Sequence, residues 1–183
     1  MSESGVVLSY RETLQRVMSA DFSNVNDQVR DAAAKDVIEM CSLACAGLVL
    51  QPIPGLEQAV LPIQIGMVLA IAHIYGHSLN RKRAREIVMD LAAITGVSII
   101  GRQALVTVAK FALPFVGGFL GAPYTFSVTW ATGYAAIHYL RSGGRPDADK
   151  IRDIFEQERK RSKTHYSESK ARENRPEDPD LIG

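Results

Sequence analysis

Apolar positions in this chain gather in two runs that meet at a corner. Residues 48–76 read LVLQPIPGLEQAVLPIQIGMVLAIAHIYG, and the break between the runs is Pro52-Ile53-Pro54-Gly55. Each proline pushes the residue before it, Gln51 or Ile53, away from helical geometry. Gly55 supplies the freedom a tight bend needs. The pattern predicts two helices folded back on each other through a short connection.

Upstream, residues 9–19 predict a short helix with Ser9 and Glu12 as its capping box and Leu14, Val17 and Met18 as a narrow apolar stripe. A turn over residues 21–26 offers several N-caps, and a long helix follows from about Val25 to Leu50. It starts polar, with Asp27, Arg30, Asp31, Lys35 and Asp36, and becomes nearly all apolar or small from Val37 onward. A helix that changes character in this way leaves water along its length, into a core or into lipid.

Downstream of the corner a helix is expected from Leu56 to about Tyr75, with Pro62 kinking it or marking its true start. Gly66 with Ala70, and Ala72 with Gly76, repeat at four-residue spacing, which lets helix backbones approach closely. Asn80-Arg81-Lys82-Arg83-Ala84-Arg85 opens a helix to about Thr95, which Gly96 ends. Basic residues at a helix start oppose the macrodipole. Anionic lipid or an acidic partner surface would compensate; a solvated basic turn is the alternative.

Val97 to Phe111 predicts a further helix whose only charges are Arg102 and Lys110. In Leu113–Leu140, Pro114 and Pro123 are expected to divide the run. Gly117 and Gly121 form a GxxxG spacing, and Thr125, Thr129 and Thr132 lie along one face of a helix from Pro123. Residues 141–146 are a stop and linker. A last helix from Asp147 uses Ile151, Ile154 and Phe155, after which mixed charges replace the stripe; fraying and then disorder are expected, with nothing docking from about Ser162 onward.

Length adds that 183 residues suit one domain with tails: a helical arm over 1–24, an apolar helical domain over 25–141, and a linker, short helix and charged tail over 142–183. The formal net charge of +1 gives no overall field that calls for nucleic acid. Charge is segregated, however: no Asp, Glu, Lys or Arg falls between Glu57 and Arg81 or between Lys110 and Arg141. Cys41 and Cys45 share a helix face at a spacing poor for a disulfide and read as small packing residues. The start MSESGVVLSYRETL lacks a secretory pattern, so a cytoplasmic origin is expected.

Candidate chemistry is sparse. There is no GxxxxGK(S/T) phosphate loop, since Gly117, Gly118 and Gly121 are not followed by the lysine, and no GxSxG or CxxC. His73 and His77 have a spacing that metal sites use, but Ile74 stands where HExxH has its Glu, and His138 is only a remote third ligand. Packing or interface roles are the favoured reading for both. Glu57 and Gln64 could share a face near the corner, where polar groups in an apolar segment often mark an interface. The interaction or packing residues expected are Pro52, Pro54, Gly55, Glu57, Gln64, Gly76, Arg81, Arg83, Arg85, Gly117 and Gly121; no catalytic residue, metal or cofactor is expected.

Pro52 to Gly55, then Gln64, Met67 and Ile74-Tyr75-Gly76, with the later glycines, Thr129 and Gly133, resemble domain-of-unknown-function family 697 over roughly Ala33 to Leu140. The resemblance implies a bacterial, all-helical module. Family members are often fused to, or encoded beside, small GTPases, and some are described as inner-membrane proteins. This chain has no G domain, so the resemblance implies a stand-alone accessory module without a nucleotide site, with a GTPase encoded nearby as partner.

Two functions follow as expectations. One is a non-enzymatic, membrane-associated helical scaffold at the cytoplasmic face of the inner membrane, touching an anionic membrane surface, working with a GTPase or self-associating as a homo-oligomer. The other is a cytoplasmic helical-bundle interaction module without membrane contact, favoured because Val37–Leu50 falls short of the roughly 20 apolar residues of a straight span.

Overall fold

The computed structural model describes residues 3–51, 56–97 and 114–173, and the chain is all-α. The helices are α1 (Glu3–Ser19), α2 (Asp27–Leu50), α3 (Val60–Ile74, entered through a 3-10 turn at Leu56–Ala59), α4 (Arg81–Thr95), α5 (Pro114–Arg141) and α6 (Ala148–Glu173). Pro52, Pro54, Gly55 and the helix expected over Val97–Phe111 lie outside the described residues, apart from Val97 itself.

Local chemistry sets most boundaries. The Asn26 side chain accepts from the Val29 N–H at 2.9 Å and starts α2; Asn80 does the same for Arg83 at 2.8 Å and starts α4. Asp147 accepts from the Asp149 N–H at 3.0 Å at the start of α6. Gly96, Gly143 and Gly144 take left-handed φ values of 70°, 67° and 78° where α4 and α5 end, a region only glycine enters without strain.

Two expectations fail at helix ends. Ser9 is not a cap, because α1 already runs through it from Glu3. Pro123 does not divide α5, which continues from Pro114 to Arg141 with Pro123 inside it. An interior proline costs about 3 kcal/mol, and packing offsets that here: Ala122, Thr125 and Phe126 beside it are buried. Pro62 falls in the first turn of α3, where its missing N–H had no intrahelical partner to lose.

The core forms where α2 and α5 lie antiparallel and close. A Cβ on Gly133 would stand 2.5 Å from Ile38 Cγ1, and one on Gly121 2.7 Å from Val49 Cγ1. At Gly121 the close approach is a contact within the chain. α3 lies against both helices, and its Met67, Val68 and Ile71 are fully buried. α6 covers the other side of α5, burying Trp130 and Phe126.

That cover corrects the reading of the C-terminal helix. Past Phe155 its inward face continues through Glu158, Ser162, His165 and Tyr166. Ser162 is fully buried, His165 stacks on Trp130 with ring centroids 4.5 Å apart, and Tyr166 lies 5.1 Å from Phe126. The stripe persists at helical spacing but is built of polar and aromatic residues. Glu158 is tolerated inside because Trp130 Nε1 donates to it at 3.3 Å and Arg161 pairs with it at 2.9 Å.

Two outcomes follow from this packing. Gly133→Ala should lower stability, because about 1–3 kcal/mol of overpacking against Ile38 exceeds the gain in helix propensity. Gly47→Ala, with nothing within 4 Å of the new Cβ, should raise it by about 0.5–1 kcal/mol; urea unfolding of the pair reads the contrast. Truncation before Ser162 should lower Tm by on the order of 5 °C by uncovering Trp130 and Phe126, and calorimetry showing no change would refute the docking of α6.

Candidate functional site

α3 is apolar on nearly every face, because it carries no charged residue from Val60 to Ile74. One face meets α2 and α5. α1 and α4 also pack against α3, and a groove of about 910 Å³ opens between them, lined as well by Ala44 and Leu48 of α2. Leu14, Leu48, Ile63, Ile65 and Leu69 make its apolar lining, and Ile65 and Leu69 are only partly buried.

The walls are cationic. Arg11 stands on the α1 side, and Arg81, Lys82 and Arg85 on the α4 side. All four are exposed, and none forms an ion pair with a described residue. The first turn of α4 has no acidic residue to offset them. Asn80 holds the turn in place by capping it.

Gly66 brings α1 onto α3: an added Cβ would lie 3.1 Å from Tyr10 Oη and 3.3 Å from Leu14 Cδ1. Tyr10 lines the groove. Burial first, then the neighbouring thiols of Cys41 and Cys45, push its phenol above the ordinary tyrosine range, so it remains an O–H donor. Its hydroxyl has no hydrogen-bond partner among the described residues.

The expected residues divide among several places. Arg81 and Arg85 line the groove. Arg83 turns aside, pairing with Glu86 at 2.9 Å and donating to Tyr139 Oη at 3.5 Å. It borders a separate shallow hollow with Ser78, Asn80 and Glu86. Gln64 is buried and donates from Nε2 to Thr129 Oγ1 at 3.2 Å, so it ties α3 to α5 instead of marking an exposed face near the corner. Glu57 sits in the 3-10 turn. Gly76 closes α3 with φ of 76°. Gly117 falls within the span of α5.

Tyr75, beside Gly76, has a structural role. It donates to Asp31, which also accepts from Arg141 at 2.8 Å, and the Arg141 guanidinium lies 4.8 Å from the centre of the Tyr75 ring. Burial, then the bond to Asp31, raises the Tyr75 phenol. The cluster fastens the end of α3 to α2 and α5.

The two histidines do not form a helical pair. His73 Nε2 bonds the Ala20 carbonyl at 2.9 Å and its ring meets Phe22 edge-on, while His77 lies past the end of α3. Among the described residues no group of three His, Cys, Asp or Glu is placed to hold a metal ion. Cys41 and Cys45 are both buried, and burial pushes the Cys41 thiol well up, as suits a packing role.

Sequence reasoning found the α4 cations but missed Arg11 and Tyr10 as groove residues. Only the packing of α1 on α3 brings them opposite α4, and no local pattern in residues 9–19 signals it. In the comparisons, the model of a family described as "Domain of unknown function (DUF697)" matches residues 14–164. No curated protein and no solved structure matches.

The Gln64–Thr129 bond makes a separable expectation. Gln64→Ala should cost on the order of 2 kcal/mol, since it strands the Thr129 hydroxyl and opens a cavity. Gln64→Leu combined with Thr129→Val should come much closer to wild type in urea unfolding, because both polar groups leave together.

Proposed function

The chain belongs to the DUF697 family, and from that premise we propose that it is a non-enzymatic helical accessory module that works by docking a partner protein. The observation that carries this reading is the groove between α1 and α4, an apolar cleft walled by cations that form no ion pair with a described residue. A cleft of this kind is shaped to receive a structured ligand. The polar side chains elsewhere are spent on holding helices together, as Gln64, Tyr75, Arg141 and Glu158 illustrate.

A small GTPase encoded nearby is the partner class that the resemblance to the family implies. The cytoplasm or the cytoplasmic face of the inner membrane is the proposed setting. No described helix is long and apolar enough to cross a membrane. A second reading, contact with an anionic membrane surface, draws support from the same cations, each of which is attracted to anionic lipid by about 1 kcal/mol near the surface. The small-residue seams at Gly66 and Gly121 are filled within the chain, so self-association draws less support from them than it did from the sequence.

The pure protein should neither bind GTP at micromolar concentration nor release phosphate from it. Titration with a fluorescent GTP analogue and a phosphate-release assay test this, and micromolar binding or turnover would overturn the non-enzymatic reading. A GTPase encoded beside it should co-elute with it in size-exclusion chromatography, less so as salt rises.

A further inference from the structure

We propose that the groove between α1 and α4 receives an acidic amphipathic helix of the partner, with apolar residues on the α3 floor and carboxylates facing Arg11 on one wall and Arg81, Lys82 and Arg85 on the other. This rests on the docking reading above and gives the docked element its chemistry.

Four observations converge on it. First, no described element covers the floor. A helix that is apolar all round belongs inside, yet α3 leaves Ile65 and Leu69 partly buried at the groove. Second, the gap has helical surroundings: α1 and α4 already flank α3, and a further helix seated between them repeats the same kind of packing, which is the helix-in-groove mode of recognition. Third, charge lies on both walls. A lipid carries its charge at one end, whereas a helix with an apolar stripe carries acids on both flanks of that stripe and matches both walls at once. Fourth, the Tyr10 hydroxyl, kept protonated in the groove, adds a donor for a carboxylate.

Segments of this chain match poorly. Residues 98–113 are apolar but carry Arg102 and Lys110 and no acid, so they would face like charge. The acidic stretch Glu177-Asp178-Pro179-Asp180 has Pro176 before it and Pro179 within it, which opposes a helix there. A second copy offers no better match, since α6 mixes both signs of charge along its length.

The test uses the full chain and two designed peptides of roughly 18 residues, about five helical turns. Both carry the same leucine stripe; one is flanked by glutamates and the other by lysines. Fluorescence anisotropy of the labelled glutamate peptide should show binding with Kd on the order of 100 µM or tighter, and the lysine peptide should not bind. Arg81→Glu with Arg85→Glu should weaken the glutamate peptide by about tenfold or more and admit the lysine peptide. Gln15→Trp, an exposed position on the groove, should block the glutamate peptide by bulk, with circular dichroism unchanged. Equal binding of both peptides, or glutamate-peptide binding that survives both variants, would overturn the proposal. So would binding to phosphatidylglycerol vesicles without peptide binding, which would assign the cations to a membrane. A neighbouring GTPase that still co-elutes with both variants would sink the groove assignment and leave the docking reading standing. GTP turnover by the chain itself would sink the docking reading first.

Discussion

The close approach of α2 and α5 is the constraint the rest of the fold depends on. Gly133 lets Ile38 reach the α5 backbone and Gly121 does the same for Val49. With no Cβ at either point, the two longest apolar stretches bury each other along their length. Their antiparallel pairing leaves α5 one flank for α3 and another for α6, and each flank is fixed by a polar contact: Gln64 to Thr129 on one side and Trp130 to Glu158 on the other. Fully burying Trp130, Phe126 or Ile38 contributes roughly 1.5–3 kcal/mol apiece, so the flanking helices complete a core that α2 and α5 only begin.

The buried hydroxyls explain how a charge-free middle can serve as a core. Thr125, Ser127 and Thr132 donate to the carbonyls four residues back in their own helix, each at 2.8 Å, and Ser42 does so at 2.7 Å in α2. A hydroxyl satisfied by its own helix needs no partner from a neighbour and no water. Packed this way, the threonine face of α5 enters the interior without an unmet polar group. The same economy suits helices in lipid, which is why composition alone leaves both settings open.

The groove arises from an imbalance between α3 and its neighbours. α3 is apolar on nearly every face, and α1, α2, α4 and α5 leave its Ile65 and Leu69 only partly buried at the groove. The cations along α4 then cost the helix some macrodipole stability, a cost that neither stabilises the described core nor is offset by an acidic residue in that first turn. Apolar floor and cations that pair with no described residue lie together, the combination on which the proposed docking rests.

The sequence by itself determined the helical class, the family, the end of α2 and both ends of α4, because these are local matters: Asn80 and Gly96 act on the few residues beside them, as the extended Gln51 does at the end of α2. It failed where distant residues decide. Pro123 reads as a break from its own chemistry, and only the burial of its neighbours keeps α5 whole. Glu158, Ser162 and His165 read as a charged tail, since nothing near them shows that Trp130 waits opposite as acceptor of the stack and donor to the carboxylate. Arg11 and Arg81 are 70 positions apart, and their place on facing walls follows from how α1 and α4 each lean on α3. Hydrogen-bonding and conformational preferences are short-ranged and legible in a single sequence. Which apolar face meets which, and which is left without a cover, depends on the packing of all the helices together.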